Sequence, residues 1–494
     1  MRRKNDILAL TIIPIIVVGV ISILSLINPD LSFNTLDSVR SFLCIKFGAW
    51  YLGIGLIFVG ILIFLAVSKY GAVRLGSQKD KLPLFTYGSL IFTSVFAADI
   101  IFFSFHEWIY YYSSGSYAGL TTPHELAVTY PLFHWGVTPW SFYILPAITY
   151  AYYRYVRKVK CETLSDATQV KNSKVKIIVD IFSIVGLLLA TTTTFSVTTP
   201  MMTNIIIHVF NLSESTSVAI NTGLLLSIAV VYCIITLKRF NAISYISKVC
   251  TGLFFVVLAV FLFSSNTFSI LIGGLLGIGK MIVNFIPMSV RMDEFSQSWT
   301  IFYWSYWISW CILVPFFISK ISKGRTIREV VVEGLGSGVL GTYCSFIVLG
   351  NSSQITALSS SQIYDVLQSN PAQGIVKMIL YKFQNLEGWS LGTSNIIFMM
   401  IVVLMCLFYI STFDAVIYAL IDYVGYESYN VPVIGWSVVF ISLPVILIKQ
   451  GAVLSTLQAL SIISALPISI ILAYNSYRFL RNLFIDYKSQ KEEV

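Results

Sequence analysis

The sequence predicts an all-α membrane protein of about twelve transmembrane helices, and three observations carry that prediction. Only 11% of the 494 residues are charged while 56% are hydrophobic. A soluble domain carries roughly 25% charged residues, so a water-facing surface is missing. The apolar residues are also gathered into runs of about twenty, the length an α-helix needs to cross a bilayer core. Finally, the positive charges are divided unevenly between alternate loops.

The chain starts with Met1-Arg-Arg-Lys-Asn-Asp, ahead of an apolar run at residues 7–27. That run has spanning length, and no small-residue cleavage site follows, so no cleavable leader is expected. Further runs fall near residues 48–68, 86–112, 127–153, 178–199, 216–237, 249–270, 299–319, 331–350, 392–421, 430–448 and 452–475. Each is read as a helix, because an isolated strand cannot satisfy its backbone in lipid. Residues 271–298 are apolar but interrupted by Gly273, Gly274 and Gly277, and are read as an interfacial or re-entrant helix. The chain 1–494 is thus one membrane domain, with a short C-tail at 476–494.

With the N-terminus in the cytoplasm, 25 of the 32 Lys and Arg residues fall in cytoplasmic segments. Seven remain outside: Arg40, Lys46, Lys280, Arg291, Lys377, Lys382 and Lys449. The positive-inside rule asks for this asymmetry, so both termini are expected in the cytoplasm and the protein in the cell membrane. The net charge of +9 then belongs to loops facing anionic lipid rather than nucleic acid.

No catalytic constellation is visible, and an enzyme is not expected. The seven cysteines are an odd number and form no CxxC pair, which favours small packing residues over disulfides. The four histidines lack zinc-ligand spacing, and no resident cofactor is expected.

Two features stand out. Six of the ten tryptophans lie in two stretches, Phe133-His-Trp135-Gly-Val-Thr-Pro139-Trp140-Ser-Phe-Tyr143 and Trp299-Thr-Ile-Phe-Tyr303-Trp304-Ser-Tyr306-Trp307-Ile-Ser-Trp310. At about 100° per residue, Trp299, Tyr303, Tyr306 and Trp310 share one stripe, with Trp307 about 60° further round. Two readings fit: aromatic packing, including an interfacial belt, or a cage of π faces for a quaternary ammonium, each worth roughly 0.5–2 kcal/mol. The second feature is charge inside apolar runs, Asp99 and Asp414, with Glu107 and Asp180 nearer helix ends. Intramembrane carboxylates usually face a cavity, a partner or an ion path. Asp99, flanked by Phe96-Ala-Ala and Ile-Ile-Phe-Phe, is read as functional. Asp414 follows Ser411 and Thr412, which suits either a sodium site or a structural hydrogen bond to a neighbouring helix.

The stretch Ser298-Trp-Thr-Ile-Phe-Tyr-Trp-Ser-Tyr-Trp-Ile-Ser-Trp310, followed by Ile321-Ser-Lys-Gly-Arg-Thr-Ile-Arg-Glu329, resembles the signature of the betaine/carnitine/choline transporter family. Phe133-His-Trp to Pro139-Trp140 is similar to that family's fourth helix. Ser68-Lys-Tyr-Gly, Arg74-Leu-Gly76 and Pro83-Leu-Phe85 are similar to the loop before its third, and residues 408–415 to its tenth-helix motif. The resemblance spans residues 48–475. It implies a LeuT-type fold of two inverted five-helix repeats, helices 3–7 (about 86–270) and 8–12 (about 299–475), with helices 1–2 peripheral over 1–70.

By position, the resemblance implies a substrate box of Trp135, Trp140, Tyr143 and Trp307. Tyr306 and Trp310 would line the inward path, with tyrosine at 306 where many members have tryptophan. A sodium ion would sit at Ser411 and Thr412, with backbone oxygens of Thr93, Phe96 and Phe408. In the third helix, Val95-Phe-Ala-Ala-Asp99 replaces a glycine-rich break, and choline-type members carry Asp there. A buried anion suits choline and repels the carboxylate of betaine or carnitine, so choline-type uptake leads. Asp99 could also carry a coupling proton, so proton and sodium coupling compete. A carrier of another amine and a non-transporting receptor are the competing readings. The resemblance further implies a homotrimer. The tail after Arg481 is short and mixed in charge, so osmotic activation is not expected.

Overall fold

The computed structural model describes residues 3–95, 98–114, 120, 122–237, 243–386, 390–450 and 454–492. Among these the chain is helical, with one isolated antiparallel bridge between Arg74 and Thr326.

The chain begins with α1 (Lys4–Ile27) and α2 (Pro29–Val67). Between them Asn28 caps α2, its side chain accepting from the Leu31 amide at 3.0 Å, with Pro29 at the first helical position. Next come α3 (Leu84–Val95), α4 (Asp99–His106), α5 (Trp108–Tyr112), α6 (Pro123–His134), α7 (Val137–Ala151) and the short α8 (Leu164–Ala167). Three long helices follow: α9 (Ser173–Val209), α10 (Ser217–Leu237) and α11 (Ile243–Phe263). Then come α12 (Thr267–Val283), α13 (Phe285–Val290), α14 (Ile301–Ser309) and α15 (Val314–Ile321). Helices α16 (Ile327–Glu329), α17 (Gly336–Ser345) and α18 (Asn351–Leu358) join through π-turns into one run over residues 327–358. The remainder is α19 (Ser361–Ser369), α20 (Pro371–Gln384), α21 (Leu391–Val424), α22 (Asn430–Lys449) and α23 (Leu454–Glu492).

Among the described residues, nine helical runs are long and apolar enough to cross a membrane, and a tenth arises if the pair bent by 59° around residues 310–313 is one span. The expected third and fourth spans do not qualify as single helices. Among the described residues they appear as α3–α5 and α6–α7, with interruptions at Glu107 and at Trp135–Gly136. The expected second span reaches back to Pro29 rather than residue 48. The apolar windows of α9, α21 and α23 are 61–67% buried, against 22% for α1 and 28% for α10, so the first three are central and the last two peripheral. Exposed Ile27, Val67, Phe263 and Val283 make an apolar outer surface that only lipid suits.

One expectation is corrected. The glycines at 273, 274 and 277 do not interrupt α12, which runs through them. A Cβ on Gly277 would lie 2.2 Å from the Val128 carbonyl oxygen, and one on Gly274 would lie 2.5 Å from the Ile347 side chain. They let the helix lie close to α6 and the 327–358 run. The segment expected as a C-tail is helical as far as Glu492, as part of α23. Near its end Asp486 takes a two-pronged ion pair from Arg157, at 2.8 and 2.9 Å, and a hydrogen bond from Tyr152.

The loops before α3 and α16 are clipped together. Leu75 donates its amide to the Arg325 carbonyl at 2.8 Å, and Gly324 donates to the Leu75 carbonyl at 2.7 Å. The Arg325 side chain is fully buried. It donates to Glu333 at 2.8 Å and to the Leu82 carbonyl at 2.9 Å, and lies 3.6 Å from the Tyr87 ring centre.

Candidate functional site

The site is built at a corner. α6 stops at His134, and Gly136 takes φ −97°, ψ −143° before α7 restarts at Val137. A side chain at 136 would stand 2.3 Å from the Leu132 carbonyl oxygen and 2.7 Å from the Tyr343 hydroxyl, so the corner requires glycine. The Trp135 carbonyl accepts a hydrogen bond from Thr342 of α17 at 2.8 Å, which secures the corner.

The corner places Trp135 before the break, with Trp140 and Tyr143 three residues apart after it. Trp307 of α14 is the hub. Its ring centre lies 5.5 Å from Trp135, 5.6 Å from Trp140 and 5.0 Å from Tyr143. All four are buried and packed against one another, so their π faces converge on Trp307. Such faces hold a cation within about 6 Å of their centres. Phe346, 5.1 Å from Trp135, supplies a wall that the sequence reading lacks. Trp140 rests on α17, where a Cβ on Gly338 would come within 2.4 Å of the indole.

Asp99 is the first residue of α4 and is buried. The Tyr306 hydroxyl donates to its Oδ2 at 2.5 Å and also bonds Thr194 of α9. Tyr306 thus reaches the carboxylate from the turn that carries Trp307. Trp310 caps the C-terminal end of α14, buried at the bend into α15.

A second buried carboxylate belongs to the box. Glu107, between α4 and α5, accepts from the Trp135 indole at 2.6 Å and from the Tyr111 hydroxyl. That hydroxyl also meets His134 Nδ1 at 2.7 Å, and His134 Nε2 lies 3.1 Å from the Thr300 hydroxyl. This network orients Trp135. Sequence reading noted Glu107 only as lying near a helix end. Its pairing with Tyr111 at i+4 was the available signal.

Of the residues expected at a sodium ion, Ser411 and Thr412 are buried on α21. Phe408, one turn earlier, lies 6.2 Å from Phe92 at the end of α3. Thr93 belongs to the same turn of α3, while Phe96 lies outside the described residues. The Ser411 and Ser247 hydroxyls are 3.5 Å apart. Asp414 accepts from Thr236 of α10 at 2.5 Å, the interhelical hydrogen bond that was one of its two readings. No cluster of three His, Cys, Asp or Glu residues is present among the described residues.

Residues 9–488 match the family model described as BCCT, betaine/carnitine/choline family transporter. The chain belongs to this family. It is similar to a glycine betaine transporter of Bacillus subtilis, 27% identical over 90% of this chain and 88% of the relative. It is also similar to a carnitine transporter of Acinetobacter baumannii, 26% identical over 86% and 79%. An ectoine/hydroxyectoine transporter of Virgibacillus pantothenticus is 26% identical over 92% of each chain. As a member of the betaine/carnitine/choline family, the chain is a multi-pass membrane transporter and not an enzyme.

Proposed function

We propose that this transporter takes up a quaternary-ammonium cation, with choline as the leading substrate, by alternating access across two inverted repeats. The aromatic box of Trp135, Trp140, Tyr143 and Trp307 would hold the trimethylammonium group. The observation that carries choline over betaine or carnitine is Asp99, a buried carboxylate whose bonding partner Tyr306 adjoins Trp307 in the chain. Choline brings one positive charge and a hydroxyl, which a carboxylate matches. A zwitterion adds a carboxylate that Asp99 would repel. The relatives' glycine betaine and carnitine keep a zwitterionic substrate as the second reading. For coupling, two readings compete: a proton taken up by Asp99, or a sodium ion at Ser411 and Thr412 with the backbone of Thr93, Phe96 and Phe408.

The test is labelled-choline uptake into proteoliposomes under a sodium gradient, a proton gradient or neither, with an Asp99→Gly variant alongside. Choline uptake lost in the variant supports the reading, and the effective gradient names the ion. Betaine uptake by the variant, with choline ignored by the wild type, replaces the substrate. Binding without flux in either protein makes this a receptor.

A further inference from the structure

Outside the aromatic box, a cavity of about 560 Å³ opens beside the basic loops and is lined by Arg154, Tyr155, Glu162, Phe316, Lys320 and Asp422. Two helices each bring an aromatic ring and a charge one turn apart: Phe316 and Lys320 on α15, Tyr418 and Asp422 on α21. The Lys320 ammonium sits 4.4 Å from the Phe316 ring centre, 5.9 Å from that of Tyr418 and 3.9 Å from Asp422 Oδ2. A hydrogen-bonded ammonium–carboxylate pair closes to roughly 2.7–2.9 Å. The wider spacing seen here is that of a cation held by π faces and charge without donating. A quaternary ammonium, which has no N–H, binds in this way.

We propose that this cavity is a second binding station for a quaternary-ammonium cation, occupied in this structure by the tethered ammonium of Lys320. The Lys320 side chain is 41% exposed, so its loose ion pair costs little to break, and the ammonium can swing into water. Arg154 stays, held by the Cys161 carbonyl at 2.7 Å and over the other aromatic contact at Phe316, 5.0 Å away. With Lys320 in place the cavity's two cations balance Glu162 and Asp422. With Lys320 withdrawn the lining loses one positive charge beside Asp422, which an incoming monocation restores. Glu162, itself paired to Lys160 at 2.9 Å, contributes less, so Asp422 is the principal counter-charge. Lys320 is then a built-in competitor that keeps this station weak.

The inference rests on the cationic substrate proposed above, and the test separates the two. Full-length protein in detergent, with the box disabled by Trp307→Ala, is titrated calorimetrically with tetramethylammonium chloride against matched sodium chloride. One weak equivalent is expected. Adding Lys320→Gln should tighten it roughly tenfold by removing a tethered competitor. Phe316→Leu, which keeps apolar volume without a π face, or Asp422→Asn should abolish that gain, while Phe316→Tyr should keep it. No binding to the Lys320→Gln protein, or affinity indifferent to Phe316→Leu, overturns the proposal. Should Trp307→Ala not stay monodisperse, Trp307→Leu replaces it. Wild-type protein that ignores choline while these titrations hold would sink the substrate assignment and leave the station standing.

Discussion

Trp307 touches three other rings of the box, so its truncation should be felt in both stability and binding. Trp307→Ala removes a buried indole, at a cost of about 3–5 kcal/mol, and should lower thermal stability in detergent and abolish high-affinity substrate binding. Trp307→Phe keeps a π face and should retain binding more weakly, as read by calorimetry over a choline, betaine and carnitine panel. At Glu107, replacement by Leu removes the acceptor of the Trp135 indole N–H, at about 1–3 kcal/mol, while the Tyr111 hydroxyl keeps His134 Nδ1 at 2.7 Å. Glu107→Gln keeps one acceptor for the indole and should fall between Leu and wild type in melting temperature and affinity. Lys382, on α20 outside the spanning runs, donates to the Ser264 carbonyl at 3.0 Å and to the Ser265 hydroxyl. Burial pushes its amine down from 10.5 to about 8. The unfolded chain therefore holds this proton more tightly, and stability should rise between pH 8 and 10 relative to Lys382→Met. Melting curves of the two proteins across that range test the sign.

Among the elements, α17 decides the shape of the box without contributing a ring to it. Gly338 lies under Trp140, whereas nothing lies within 4 Å of a Cβ placed on Gly336, two residues earlier. Gly338→Ala should force Trp140 aside, costing about 1–3 kcal/mol by overpacking and weakening substrate binding. Gly336→Ala should be neutral or stabilise by about 0.4–1 kcal/mol. Paired melting and binding measurements on the two variants separate a wall of the box from helix propensity. Both are glycines in one apolar run, and the sequence offers no means of ranking them. The same holds for Gly274 and Gly277, read as interruptions of a helix that in fact passes through them. A glycine's role depends on what faces it, and that neighbour lies far away in the chain.

Across the whole molecule, the clip at Arg325 joins the start of α3 to the start of the 327–358 run. Arg325→Met should leave Glu333 short of its buried partner. The loss should lie near the lower end of the about 3–5 kcal/mol expected for a broken buried pair, because Glu333 keeps Lys81 at 3.3 Å. Faster amide exchange over residues 73–82 would accompany it, and unchanged exchange there would show that the clip is not held by this side chain. The all-helical membrane architecture was legible in composition and in run length, because apolar segments in lipid have one backbone solution. Trp135, Trp140, Tyr143 and Trp307 were legible through short motifs, and the structure brings them around one point. Tyr306 was expected on a path, and its hydroxyl turns out to hold Asp99. Glu107, Thr342, Phe346 and Gly338 were not singled out for the box, because each acts across a gap of 28 to about 200 residues. The sequence alone thus determined the solvent of this protein, its helices and the aromatic chemistry of its candidate site. Which helices break, which carboxylate meets which ring and which glycine makes room were decided by tertiary packing, because those choices depend on contacts that chain order does not contain.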